Sequence, residues 1–539
     1  MARRIPAFLL VLVVLCGLAA AGASAERSKP SEDDYYELYK ILVDTMDQVE
    51  RNYVKKVDRR ELMEAAIEGM LGKLDPYSSY IGPKEWEPFR STVESAFGGI
   101  GIQVDLVGGQ LTVVSPLVGT PAQRAGLLAG DRIVKIAGES TDGIRLDEAV
   151  QRLKGKAGTD VSITIVHADS TEEIDVTMTR EIIHVETVLG DRRKADGAWE
   201  YNLASRQQIG YVRVTAFSRD TAGEIRKAVR QMRDAGRRGL ILDLRFNPGG
   251  LLNSAIEVCD LFVSKGRLVS TEGRNSPERT WEAEAEGTFE DFPMVVLVNR
   301  YSASASEIVS ACLQDHHRAV IVGERTWGKG SVQNVIELEI DPEDMKPRSA
   351  LKLTTASYRR PSGKNIHRFP NAKDEDEWGV KPDPGFEVKL NARETGTLLR
   401  QQRQRDIVRV VTGDPKPTDD AKPTDDTKPA DDTKPADDTK PAGDAKPADD
   451  AKPTDDAKPT DDAKPAGDAK PAGDAKPAAD AGVQPEGAKP DDRAFVDRQL
   501  QKAVDYLTEE LARAEKDLHT AEKPAEGNPA AETKAGKSG

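Results

Sequence analysis

From residue 209 to about 360, short apolar runs alternate with amphipathic stretches, and this alternation limits the fold more than any other feature of the chain. Ile225, Ala228, Val229 and Met232 recur at helical spacing, and Gly236 marks the end of that helix. Residues 240–244 form an apolar run suited to a strand buried on both faces. A Pro248-Gly249-Gly250 turn then leads into a helix over 254–263. Residues 294–298 form a second buried strand, followed by a helix from about 305 to 314, and residues 319–322 form a third strand. Strand–helix–strand order of this kind predicts an α/β layer fold with a partly parallel sheet.

The flanking regions differ in kind. Residues 34–90 read as helical: Leu38, Ile41, Leu42, Thr45 and Val49 share one face, residues 62–74 repeat the pattern, and Pro76 stops it. Residues 97–182 read as strands at 100–104, 111–114, 132–136 and 161–166, with short helices at 121–127 and 146–153, the size of a small independent domain. From Lys416 to Lys476 a six-residue unit recurs, as in Lys416-Pro417-Thr418-Asp419-Asp420-Ala421. It carries a proline in every unit and no apolar residue larger than alanine, so no core can form and a solvated, polyproline-like linker is expected. Val496, Leu500, Val504, Leu507 and Leu511 then restore a helical stripe, which a helix of this length would bury by docking; a tail with a stray helix is the alternative. The expected division is a signal peptide at 1–25, a helical region at 26–96, a β-rich domain at 97–182, an α/β core at 183–411, the linker at 412–492, a helix at 493–518 and a disordered tail at 519–539.

Arg3 and Arg4, an apolar stretch over 8–20, and Ala23-Ser24-Ala25 have the layout of a cleaved secretory signal, with Glu26 as the mature start and an uncleaved anchor as the alternative. Export to the periplasm or another extracytoplasmic space follows, with no membrane span after cleavage. Cys16 lacks the small preceding residue expected beside a lipidated cysteine; Cys259 and Cys312 read as buried thiols, with a disulfide as the alternative. The net charge of −15 argues against general nucleic-acid binding. The six histidines show no metal-ligand spacing, so no metal or cofactor is expected.

Three segments carry candidate chemistry. In Tyr301-Ser302-Ala303-Ser304-Ala305-Ser306-Glu307, small residues allow a sharp turn, and a hydroxyl there sits at a helix N-terminus that favours developing negative charge. In Gly328-Lys329-Gly330, the glycines permit close packing, and an apolar surrounding would lower the lysine pKa enough for it to act as a base. In Leu242-Asp243-Leu244-Arg245-Phe246-Asn247-Pro248-Gly249-Gly250, a strand-to-helix turn can aim N–H groups at an oxyanion. Taken singly, the serines could be helix caps, the lysine a surface turn residue and the glycine turn a generic one.

Together these segments resemble the carboxyl-terminal processing (tail-specific) proteases over roughly residues 35–395. So do Leu74-Asp75-Pro76-Tyr77-Ser78-Ser79-Tyr80, Phe97-Gly98-Gly99-Ile100-Gly101, Pro121-Ala122-Gln123-Arg124-Ala125-Gly126-Leu127, Gly130-Asp131, Leu353-Thr354-Thr355-Ala356 and Pro361-Ser362-Gly363. The resemblance implies a multidomain α/β protein: a helical N-terminal region, a β-rich α+β PDZ domain at 97–182 and a serine-protease core of the crotonase-like type. It implies Ser304 as nucleophile, Lys329 as base and Gln333, one helical turn later, orienting the lysine. Oxyanion donors would come from Ala305 and from Gly249 or Gly250, with Asp243 and Arg245 supporting the turn. Gly99, Ile100, Gly101 and Ile102 would form the carboxylate loop of the PDZ domain, facing a helix over 146–153, and the domain would gate the site. The expected partners are protein substrates held by their C-terminal tails, with room for an adaptor protein or a homo-oligomer. Relatives often carry asparagine or glycine where Phe246 stands, and they usually run from a segment like Gly379–Asp383 straight into a C-terminal helix, so residues 412–492 read as an insertion ahead of that helix. A non-catalytic PDZ scaffold is the alternative function; a trypsin-like PDZ protease would need a His–Asp–Ser set that is missing.

Overall fold

The computed structural model describes residues 32–194, 196–343, 345–407 and 495–521, all within one compact unit made of 1–408 and 491–539. The segments read as a signal peptide and as a repeat linker lie outside the described residues.

The N-terminal region folds as α1 (Glu32–Asn52) and α2 (Arg59–Leu71), the latter capped by Asp58, whose carboxylate accepts the N–H of Arg60 at 2.8 Å. The apolar face read on α1 is open, with Leu38 62% and Ile41 61% exposed. Just past the stop read at Pro76, a strand, β1 (Ser79–Ile81), stands inside the region read as helical, before α3 (Pro83–Glu94). The reason is local: the Asp75 carboxylate accepts the N–H of Tyr77 at 2.7 Å and of Ser78 at 2.9 Å, building a turn that competes with helix.

The next strands are β2 (Ala96–Gly99), β3 (Ile102–Val107), β4 (Gln110–Pro116), β5 (Arg132–Ile136), β6 (Asp160–Val166), β7 (Ile174–Thr179) and β8 (Glu181–His184), with helices α4 (Pro121–Arg124) and α5 (Leu146–Leu153) between them. An antiparallel sheet of order β3-β4-β5-β6-β7 packs Leu111, Val113, Ile133 and Ile163 against Ala149 and Leu153 of α5. β2 pairs with β8 outside that sheet, which leaves β3 as an edge strand.

The largest layer holds β9 (Asn202–Leu203), β10 (Arg206–Val214), α6 (Thr221–Asp234), β11 (Gly239–Asp243) and α7 (Leu252–Asp260). After the strands β12 (Arg267–Gly273) and β13 (Ser276–Glu282) come β14 (Met294–Val298), α8 (Ala305–Asp315) and β15 (Val320–Gly323). The chain continues through β16 (Ser331–Ile340), β17 (Pro347–Arg359), α9 (Ala392–Asp406) and, past the linker, α10 (Arg498–Ala521). β10, β11, β14 and β15 are parallel, with Tyr211 beside Ile241 and Ile241 beside Val295. Alternation along each strand divides the core in two. Leu240, Leu242, Val296 and Ile321 face Ile225, Val229, Val258 and Val309 of α6, α7 and α8. Ile241, Val295, Leu297 and Val322 face the other way, onto Ala503, Val504, Leu507 and Leu511 of α10. The expected docking of the last helix is thus formed, and that helix reaches Ala521, past the boundary read at 518. A second, antiparallel sheet joins β1, β17, β12 and β13, with β16 hairpinned to β17.

Candidate active site

Three turns meet at the C-terminal ends of β11, β14 and β15, where ligands bind in open α/β sheets. Ser304 stands at the N-cap of α8 with φ 57° and ψ −113°, an unfavourable conformation for a residue with a Cβ. Strain of this kind amounts to about 1–3 kcal/mol and persists only where the surroundings fix it. Here they do: the Ser304 N–H donates to Glu307 Oε2 at 2.8 Å, and the Ala303 N–H donates to the Asn247 carbonyl at 3.0 Å. The neighbouring serines are structural, since Ser302 Oγ donates to the Leu244 carbonyl at 2.8 Å and Ser306 Oγ to the Asn247 carbonyl at 3.0 Å. Ser304 remains 5% exposed beside Tyr358, whose phenol burial pushes up to about 12 against the pull of a hydrogen bond with Ser304.

Lys329 follows Gly328, which takes φ 91° and on which a Cβ would stand 2.7 Å from the Arg368 Cβ; on Gly330 it would stand 2.4 Å from the His367 nitrogen. Both flanking glycines are therefore needed for the close approach of the 367–368 segment. The Lys329 amine lies 5.1 Å from the centre of the Tyr77 ring. Burial lowers its pKa to about 8, helped by the charge of Lys352 and opposed by Glu307 and Asp75.

Ser304 and Lys329 are not hydrogen-bonded to each other in this arrangement. Their backbones meet instead on one oxygen: Glu307 Oε2 accepts the N–H of Ser304 and that of Lys329, each at 2.8 Å. Glu307 Oε1 accepts Gly328 N–H at 2.7 Å and Thr326 Oγ at 2.6 Å. The Glu307 carboxyl is fully buried, and burial pushes its pKa up although all four donors pull it down. Sequence reasoning quoted Glu307 in a motif but gave it no role. The only signal was a glutamate three residues into a helix that begins with serine, the pattern of a capping box.

Gln333 lies on β16, not on a helix, so the spacing of one helical turn does not apply. Its amide nitrogen donates to Ser331 Oγ at 2.9 Å and Thr354 Oγ1 at 3.1 Å, and its oxygen accepts nothing from Lys329. Thr354 Oγ1 in turn donates to Asp75 Oδ1 at 3.1 Å, which ties the Leu74–Tyr80 motif to the same wall.

In the glycine turn the two candidates differ. The Gly249 N–H donates to Asn247 Oδ1 at 2.8 Å, whereas the N–H groups of Gly250 and Ala305 have no protein acceptor among the described residues. Gly249 takes φ 103°, and a Cβ on it would stand 2.7 Å from the Ser304 Cβ. Gly250 bridges Phe217 in parallel fashion: the Gly249 carbonyl and Leu251 N–H bind Phe217, so the Gly250 N–H points away from it. Behind the turn, Arg245 chelates Asp243, with Nη2 to Oδ2 at 2.6 Å, and Tyr211 donates to the same oxygen at 2.7 Å. Phe246 holds φ 63° and stacks on Tyr301 with ring centres 5.7 Å apart.

In the β-rich domain, Ile100 is buried against α5, its carbonyl accepting Ala122 N–H at 2.9 Å. Gly101 takes φ 77° with its carbonyl held by Leu117 N–H and Thr120 Oγ1, and Ile102 opens the edge strand β3. Gly99 ends β2. This loop and its groove have a core that shares no residue with the core around Ser304.

Residues 208–384 match peptidase family S41, residues 112–166 a PDZ domain, and residues 18–84 the activating protease CtpB N-terminal domain. A carboxy-terminal-processing protease of Bartonella bacilliformis is 37% identical over 392 residues, covering 70% of this chain and 84% of that protein. Carboxy-terminal processing protease CtpA of Bacillus subtilis is 34% identical over 395 residues, covering 72% and 78%. Among solved structures, a photosystem II D1 C-terminal processing protease aligns at 29% identity over 68% of this chain and 96% of that one, with a TM-score of 0.37.

Proposed function

Because this chain belongs to the carboxy-terminal-processing proteases, serine-type enzymes of peptidase family S41 that carry a PDZ domain, we propose that it is exported and cuts protein substrates near their C-termini with Ser304 and Lys329. The observation that carries this reading is the convergence of both residues on Glu307 Oε2, with the lysine pKa at about 8. The neutral Lys329 amine takes the Ser304 proton as Oγ attacks the scissile carbonyl. The carbonyl oxygen, now negative, is met by the N–H groups of Gly250 and Ala305. The lysine ammonium then protonates the leaving amine, and water, deprotonated by the same lysine, releases the acyl group. Gln333 and Thr354 fix Asp75 in place, and the Asp75 charge acts on the lysine. The PDZ domain takes the free substrate tail as an added strand along β3, its carboxylate held at the Gly99–Ile102 loop.

The test is to incubate the mature protein, Ser304→Ala and Lys329→Ala with an unstructured polypeptide ending in a free apolar C-terminus. Cleavage by the parent alone is expected, and amidating the tail should raise KM. Binding without cleavage by all three proteins would leave a tail-binding scaffold instead. The parent rate should rise with pH through about 8, because only the neutral amine is a base; a flat profile down to about pH 5 would contradict the lysine.

A further inference from the structure

The glycine turn is anchored from a distant part of the chain. Arg245 is 1% exposed, and its guanidinium is shared between two carboxylates. Nε and Nη2 engage Asp243 of β11, while Nη1 donates to Asp497 Oδ1 at 3.0 Å, Asp497 Oδ2 at 2.9 Å and Gln499 Oε1 at 3.0 Å. Asp497 and Gln499 belong to the start of α10, beyond the repeat linker. Gln499 is itself fixed, donating to the Val388 carbonyl at 2.7 Å, and Asp497 Oδ1 also caps α10 through Leu500 N–H at 3.1 Å.

Arg245 is also the first residue of the turn. Its N–H donates to Asp243 Oδ1 at 2.9 Å, the next N–H, of Phe246, donates to Asn299 Oδ1 at 3.1 Å, and Asn247 then fixes Gly249. Phe246 carries a positive φ, so the backbone between Arg245 and Gly249 would relax if either end were released. We propose that Asp497 is a positioning residue for the reaction: by holding Arg245 from the far side, it sets the register of the Gly249–Gly250 turn against Ser304. This rests on reading that turn as the oxyanion donor. It makes the last helix part of the catalytic unit as well as a cover for the sheet.

The test uses the full chain with Asp497→Ser and Asp497→Asn. Serine still caps a helix about as well as aspartate but cannot reach Arg245, whereas asparagine keeps an acceptor at the same place. Glu394→Gln serves as control, since Glu394 tethers the neighbouring Arg498 at 2.9 Å on the surface. The first readout is amide hydrogen exchange over residues 245–251. Exchange there is expected to quicken about tenfold in Asp497→Ser, less in Asp497→Asn and not at all in Glu394→Gln. The second is kinetics: kcat should fall about tenfold or more in Asp497→Ser with KM nearly unchanged, since a small displacement of an oxyanion donor acts on the transition state. Unchanged exchange in the turn overturns the proposal, as does an equal loss in Glu394→Gln, which would mean that helix docking alone matters. Quickened exchange in Asp497→Ser, beside a parent that cleaves nothing, would keep the link and sink the protease reading.

Discussion

Burial costs Lys329 more than its neighbouring carboxylates return, and the depressed pKa is also a statement about stability. The unfolded chain binds the lysine proton more tightly than the folded one, so the penalty is fully present below about pH 8 and fades as pH climbs toward the unfolded value near 10.5. Lys329→Met should therefore abolish cleavage yet stabilise the fold at pH 7, by on the order of 2 kcal/mol after discounting for residual solvent contact. Thermal unfolding of the variant against the parent at pH 7 and pH 10 checks this, with the gap expected to shrink at the higher pH. Glu307→Gln should do the opposite. Its amide would set N–H against N–H at one of two oxygens that now accept four donors, lowering stability by about 2–4 kcal/mol along with kcat. Phe246 presents a closer balance. Replacing it with asparagine loses about 0.5–1.5 kcal/mol of stacking on Tyr301 but recovers part of the roughly 1–2 kcal/mol that the left-handed backbone costs, because asparagine's short polar side chain eases that conformation, so a net change below about 1 kcal/mol is expected in denaturant titration.

Among the elements, α10 offers the sharpest test. Leu507 is fully buried between Tyr211, Ile241 and Val295, so Leu507→Ala should cost about 2–5 kcal/mol by urea unfolding, while Leu38→Ala on the open face of α1 should cost little in the isolated chain. These two helices also show what the sequence could and could not disclose. Both carry apolar residues at helical spacing, which reveals a face but not whether anything covers it. The parallel strands were legible because burial on both faces leaves runs such as 294–298 with no polar position, and the turns were legible from their glycines. The β16–β17 hairpin was not: its pairing of Ser331 with Ser357 depends on contacts well separated in sequence. Hence Gln333 looked like a residue on a helix although it lies on a strand, where the register shifts between Val332 and Gln333 and burial does not alternate in the way that would reveal one. Glu307 stayed hidden for the same reason, since its partners lie some twenty residues away and only folding brings them to one carboxyl group.

For the whole molecule, the described parts before and after residues 412–492 form one unit, so the linker's thermodynamic burden is that of closing a loop. That burden grows only with the logarithm of length. Replacing residues 412–492 with about 20 Gly/Ser residues should stabilise the fold by only about 1 kcal/mol, seen as a rise of a few degrees in Tm, and leave kcat unchanged. A large fall in Tm would mean that the repeat contributes contacts of its own. The placement of α10 also has a consequence in time. Ser304 and Lys329 leave the ribosome well ahead of Ala521, about 190 residues after the lysine, an interval of roughly 10–40 seconds at ordinary rates of synthesis. Throughout that interval one face of the sheet lacks its cover and Arg245 lacks its second carboxylate. Until the segment beyond the linker has been made, Arg245 has only Asp243 to hold it, so a chain that already carries Ser304 and Lys329 still lacks the second anchor that its glycine turn has in the finished fold.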